Sequence, residues 1–196
     1  MSTKFAILHY TIDHFNNSKF VDATLVPFEK DYEVFYITLT SKTLDLNNCD
    51  FKFKLNFDNW QDRNYLSNDK LWPIFSNQLI TIIKKHYPQL VYFPAKLIDK
   101  KGQEHYNKFS VVQILNTEGI INYELSIFKR DDTFPNIFSS VEKIVLNPEI
   151  KPNAIFRLRE YSQVILINND LRDDLIKHKL SNITITDVDD YDWDYI

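Results

Sequence analysis

Side chains that could build a catalytic or metal centre are few in this sequence. His9 and His14 flank Asp13, and a strand followed by a turn could offer a metal ion two imidazoles and a carboxylate from this set. A third or fourth ligand at a recognisable spacing is missing, and neither an HExxH nor a CxxC motif occurs. We therefore predict no metal and no cofactor, and we keep a small metal-dependent hydrolase as a minor alternative.

General-base and nucleophile candidates are equally isolated. His105 follows Glu104 in a polar stretch and could accept a proton, but the sequence places no nucleophile opposite it. The single cysteine, Cys49, has no histidine near it, and no GxSxG motif occurs. The two glycines, Gly102 and Gly119, stand alone, which excludes a Walker loop and a dinucleotide-binding fingerprint. We predict no catalytic residue and interpret Cys49 as a small core residue.

Acidic residues are concentrated at the C-terminal end. The formal net charge is -4, and without the five acids of the last ten residues it would be +1. The body of the chain is thus nearly neutral, which disfavours nucleic acid as a partner. Two aromatic rings alternate with the acids, and rings flanked by carboxylates suit the surface of a basic protein. The predicted partner-binding residues of this segment are Asp187, Asp189, Asp190, Tyr191, Asp192, Trp193 and Asp194. The alternative is a frayed, solvated terminus.

Two short amphipathic helices are predicted between the strands. The first is capped by Ser76, ends at Lys84, Lys85 and His86, and stops before Pro88. Its inward face consists of Leu79, Ile80, Ile82 and Ile83. The second begins at Asn168 or Asn169 and closes with Lys177, His178 and Lys179. Its inward residues are Leu171, Leu175 and Ile176, and its exposed face adds a second set of predicted partner-binding residues: Arg172, Asp173 and Lys177.

Alternating or continuous apolar residues predict many short strands around these helices. They fall at residues 4–10, 33–39, 51–57, 109–115, 123–128, 141–146, 154–158, 164–167 and 183–186. Because helices and strands do not alternate one for one, we predict an α+β domain with mostly antiparallel strands. A polar stretch at 59–69 suggests a strand-rich N-terminal subdomain, residues 1–65, within a single domain of residues 1–196.

The order of segments from Trp72 onward resembles a bacterial family. A capped helix (FSNQLITIIKKH) precedes a strand-rich block (FSVVQILNTEGIINYELSIF), and an IFRL strand, a second strand and a short capped helix follow. The most specific pieces are residues 124–126, 155–158 and 169–179. Together they resemble the immunity proteins of bacterial polymorphic toxin systems, in particular the DUF1629-type group named for a myxobacterial immunity protein. The resemblance covers residues 72–188 and so identifies residues 66–196 as the family-like C-terminal part of the domain.

This resemblance implies a non-enzymatic protein that protects its producer by binding a cognate toxin. An adaptor or chaperone that escorts a secreted effector is the runner-up. The sequence leaves the oligomeric state open.

The compartment is inferred from the cysteine and from the N-terminus. A single cysteine cannot form an internal disulfide, and the start MSTKFAILHY has no apolar signal-peptide region. The longest apolar run is about five residues, against the ~20 that span a bilayer. We therefore expect a cytoplasmic protein that is not embedded in a membrane.

Overall fold

The computed structural model describes residues 5–10, 21–27, 40–46, 48–117 and 119–193. These ranges contain thirteen strands and two α-helices. In chain order they are β1 (Phe5–Tyr10), β2 (Ala23–Leu25), β3 (Phe51–Leu55), β4 (Tyr65–Leu66), β5 (Ile74–Ser76), α1 (Asn77–His86), β6 (Val91–Ile98), β7 (Glu104–Gln113), β8 (Asn116–Thr117), β9 (Ile127–Arg130), β10 (Phe138–Lys143), β11 (Ile155–Leu158), β12 (Ile165–Asn168), α2 (Asn169–His178) and β13 (Ile183–Asp187).

The strands form two sheets and a separate hairpin. The six-stranded sheet has the order β2-β3-β6-β7-β5-β4, the five-stranded sheet has the order β13-β1-β12-β11-β8, and β9 pairs with β10. Two of the pairings, β3 with β6 and β11 with β8, are parallel, and the other described pairings between strands are antiparallel. The predicted α+β class is confirmed.

The strands that precede residue 65 are shared between the two sheets. β1 pairs with β12 and β13, whereas β3 pairs with β6. The polar stretch 59–69 is also part of the six-stranded sheet region, since Trp60 and Leu66 are buried in the core on one face of that sheet. The described N-terminal strands therefore form no sheet of their own. The strand predicted at 33–39 lies outside the described residues.

Side-chain caps begin both helices, as predicted. The Ser76 Oγ accepts the N–H of Leu79 at 3.2 Å, and the Asn168 Oδ1 accepts the N–H of Leu171 at 3.0 Å. The predicted inward face of α1 is confirmed, because all four of its apolar residues are buried. Neither described helix is long and apolar enough to cross a membrane.

The prediction that Ile176 belongs to the inward face of α2 is wrong. Leu171 and Leu175 are buried, but Ile176 is 53% exposed. At 100° per residue, Ile176 lies about 140° around the helix from Leu171, and so it faces away from the core.

Three apolar cores hold these layers together. The central core lies between the sheets and contains the inward faces of both helices. A second core covers the other face of the six-stranded sheet. The third, which we call the outer core, lies on the other face of the five-stranded sheet and includes Phe156, Leu166 and Phe138. The outer core supports both the hairpin and the acidic C-terminal segment.

Candidate partner-binding surface

The acidic C-terminal segment is folded onto the outer core. Asp187 ends β13, and residues 188–190 form a single 3-10 turn. Val188 and Trp193 are 8% and 6% exposed and belong to the outer core. The frayed alternative therefore does not hold for residues 187–193. Asp194 lies outside the described residues.

The two rings of this segment contact the chain itself. The centroid of Trp193 lies 6.0 Å from that of Tyr161 and 5.0 Å from that of Tyr191. The ring of Tyr191 also contacts that of His9 edge to face, with 5.7 Å between the centroids. Burial is the main cause that raises the pKa of the Tyr191 hydroxyl to about 12, and the nearby Tyr161 raises it further. Trp193 is thus an internal anchor of the segment, and little of its ring is accessible to a partner. Tyr191 is half-buried.

The acids of the segment differ in exposure and in the contacts that the structure gives them. The Asp187 Oδ1 lies 2.9 Å from the Arg172 Nη1 and so links the end of β13 to α2. Asp189, Asp190 and Asp192 are exposed. Among the described residues, no ion pair reaches Asp189 or Asp190. The 3-10 turn therefore presents two carboxylates to solvent that no described cation neutralises.

The Arg172–Asp187 pair brings the two predicted sets of binding residues together. Asp173 and Lys177 are exposed on the same helix as Arg172. Arg172 itself is only partly accessible, with 29% of its side chain exposed. Its guanidinium is occupied by Asp187, so it holds α2 against the acidic segment and is less available to a partner than the sequence suggested.

A groove of about 520 Å³ runs beside the 3-10 turn. Its apolar lining includes Phe5, Ile144, Leu146 and Val188, so its floor is the edge of the outer core. One rim carries the carboxylates of Asp187, Asp189 and Asp190. The groove therefore combines an apolar floor with an acidic rim.

A hydrogen-bonded turn at residues 122–126 forms the opposite rim. The Asn122 Oδ1 accepts the N–H groups of Glu124 and Leu125 at 3.1 and 3.3 Å. The Ser126 Oγ donates to the Asn122 carbonyl at 2.7 Å and accepts the N–H of Val145 at 2.9 Å. These bonds hold Leu125 over the groove with 59% of its surface exposed.

The hairpin of β9 and β10 continues from this turn and is held by stacked rings. The rings of Phe128 and Phe138 stack at 4.0 Å, and the Arg130 guanidinium lies over both, at 5.3 and 5.7 Å from their centroids. The loop beyond β9 presents Phe134, which is 65% exposed. The Asp131 Oδ1 accepts the N–H of Phe134 at 2.8 Å, and the Arg130 Nη1 donates to the Pro135 carbonyl at 2.7 Å. These hydrogen bonds thus keep Phe134 exposed to solvent.

The residues of the hydrolase alternative are only partly described. The His9 Nε2 lies 3.2 Å from the Thr186 Oγ1, and burial lowers the pKa of this imidazole. Asp13 and His14 lie outside the described residues. Within the described part of the chain, no group of three or more His, Cys, Asp or Glu side chains is placed to hold a metal ion.

His105 and Cys49 are located in the six-stranded sheet region. The His105 Nε2 is bound to the Asp99 Oδ2 at 2.9 Å, and its ring packs 4.6 Å from that of Trp60. It therefore fastens the turn between β6 and β7. Cys49 is half-buried and packs against the core of that sheet, which fits its interpretation as a packing residue.

Sequence reasoning missed the groove and the exposed residues of the hairpin. It interpreted residues 123–128 as a strand, but β9 begins only at Ile127, and residues 122–126 form the turn. The available signal was an apolar residue, Leu125, within a polar stretch that begins with Asn122, a residue that favours turns. The turn leaves this leucine exposed, which no local strand pattern indicates.

The described residues thus contain a folded acidic segment, a groove with an apolar floor and an ordered hairpin. A comparison with protein families defines the class further: the model of the family Immunity protein 43 matches residues 48–196. The chain belongs to this family. The sequence-based prediction of an immunity protein is thus confirmed, whereas its assignment to the DUF1629-type group is not. No curated protein matches the chain significantly.

Proposed function

We propose that this chain neutralises a cognate toxin of a polymorphic toxin system by binding it, without turnover, and that the acidic segment faces a basic surface of that toxin. Membership of the Immunity protein 43 family supports the general function. The single observation that supports the choice of surface is the exposure of Asp189 and Asp190 on a segment that Trp193 anchors.

This arrangement suits fast and selective recognition of a basic protein. Exposed carboxylates create a long-range field that steers an oppositely charged partner and raises the association rate. Because Val188 and Trp193 are already buried, little conformational entropy is lost when the acids meet the partner. A basic cleft that normally holds an anionic substrate would offer such an acidic edge a complementary surface.

The test is co-expression with the product of the adjacent open reading frame. The proposal predicts that this chain restores the growth of cells that express the toxic product, and that the two proteins co-purify in a fixed stoichiometry. Co-purification without rescue would instead favour an adaptor or chaperone. Rescue without any complex would refute neutralisation by binding. An unrelated acidic protein of similar size serves as the control for non-specific electrostatic effects.

A further inference from the structure

We propose that the groove beside the 3-10 turn receives an apolar side chain of the toxin that is flanked by a lysine or an arginine. This inference rests on the proposed function and names the part of the toxin that the site would recognise. It is carried by the combination of an apolar floor, an acidic rim and an exposed leucine in one groove.

The floor of the groove can remove an apolar side chain from water. Ile144 and Val188 line it and are themselves 1% and 8% exposed. Leu125, on the opposite rim, keeps 59% of its surface exposed and would lose it under a bound partner. Burial of apolar surface contributes roughly 25 cal/mol per Å², so an aliphatic or aromatic side chain fits this floor better than a polar one.

The rim selects a cation next to that apolar side chain. Three carboxylates line the groove, and the Arg172 guanidinium lies beside only one of them, Asp187. Asp189 and Asp190 have no cationic partner among the described residues. An incoming acidic segment would meet repulsion here, whereas a lysine or arginine would place its charge near two carboxylates while its aliphatic stem covers apolar surface.

The opposite rim is fixed before any partner binds. The side chains of Asn122 and Ser126 hold the turn through five hydrogen bonds, so Leu125 needs little reordering. Preorganised contacts of this kind retain more of their interaction free energy as affinity. We therefore expect Leu125 to act as an anchor of the interface.

The hairpin that follows this turn carries a further exposed apolar residue, Phe134. β9 has four residues and spans about 13 Å between the groove and the loop that carries Phe134. A standard interface covers ~800 Å² on each partner and is roughly 30 Å across, which is wider than the span of β9.

The experiment compares Leu125→Ala with Leu71→Ala. Leu71 is 60% exposed and serves as a matched control, because truncation removes the same atoms at nearly the same exposure. Binding to a catalytically inactivated form of the adjacent gene product is measured by surface plasmon resonance. We expect Leu125→Ala to accelerate dissociation by about tenfold and Leu71→Ala to leave it unchanged. Unchanged thermal unfolding of both variants excludes misfolding as the cause.

A crosslinking measurement tests the chemistry of the occupant. A photoreactive phenylalanine analogue is placed at position 125, and at position 71 as the control, and the crosslinked toxin peptide is identified by mass spectrometry. The expected contact is an apolar residue within two positions of a lysine or arginine. A crosslink to an acidic or uncharged polar segment would overturn the assignment.

The outcomes separate this inference from the proposed function. If the wild-type chain neutralises the toxin and Leu125→Ala behaves like Leu71→Ala, the groove is not the recognition site and only the inference fails. If the wild-type chain neither binds the toxin nor restores growth, the proposed function fails and the inference fails with it.

Discussion

Replacement of Trp193 by alanine should destabilise the isolated protein substantially. Trp193 is only 6% exposed and lies edge to face with Tyr161 and Tyr191. Truncation of a buried tryptophan to alanine costs roughly 3–5 kcal/mol, because apolar contact is lost and a cavity remains. For a chain of this length each kcal/mol lowers the melting temperature by about 2–4 °C, so the expected decrease is on the order of 10 °C.

The assay is equilibrium unfolding in urea, combined with a thermal melt, without any partner. Phe134→Ala is the matched control, since this ring is 65% exposed and its loss should change the free energy of unfolding by less than about 0.5 kcal/mol. A loss below about 1 kcal/mol for Trp193→Ala would refute the conclusion that the C-terminal segment is docked onto the outer core.

Two further predictions concern pH and a helix cap. Burial raises the pKa of Tyr65 to about 12, whereas the ordinary pKa of tyrosine is about 10. The neutral hydroxyl therefore contributes fully to stability below pH 10, and this contribution is lost as the pH rises toward 12. In urea titrations at alkaline pH, Tyr65→Phe should make the unfolding free energy fall less steeply with pH, and an unchanged slope would contradict this expectation. Ser76→Ala should lower the unfolding free energy by about 1 kcal/mol, because it removes the cap of α1 and a 2.7 Å hydrogen bond to Asn64. Thr81→Ala, on the exposed face of α1, is the control for changes in helix propensity. Equal losses of unfolding free energy in the two variants would contradict the capping role of Ser76.

The sequence predicted those strands and helices whose periodicity and end signals lie within one short segment. The alternation of Phe51, Phe53 and Leu55 with lysines predicted β3, and its apolar residues are all buried. Ser76 and the apolar residues that follow it predicted α1 with its face and its cap. In each case one short segment contains both the periodicity and the start or stop signal.

β6 was missed because a proline interrupts it. Pro94 argues against a strand, since it has no N–H to donate. In the structure, the pairing of β6 with β3 begins only at Ala95, opposite Phe51, so Pro94 lies beyond the end of that ladder. The proline is tolerated for a reason that depends on the position of another strand, which local sequence does not reveal.

The candidate surface was predicted only in part for the same reason. The acids at 187, 189 and 190 were found from composition alone. Burial of Trp193, however, depends on contact with Tyr161, 32 positions earlier in the sequence, and the opposite rim of the groove comes from residues 122–126. Long-range packing of this kind has no local signature.

The most direct test of the proposed surface is the association rate of Asp189→Asn/Asp190→Asn with the inactivated toxin at several salt concentrations. Asp50→Asn/Asp58→Asn is the matched control, since it removes two exposed carboxylates near the six-stranded sheet. We predict that the first variant associates several-fold more slowly at low salt and depends less on salt, while the control stays close to wild type. Equal association rates for the two variants would contradict the claim that the acidic segment faces the toxin.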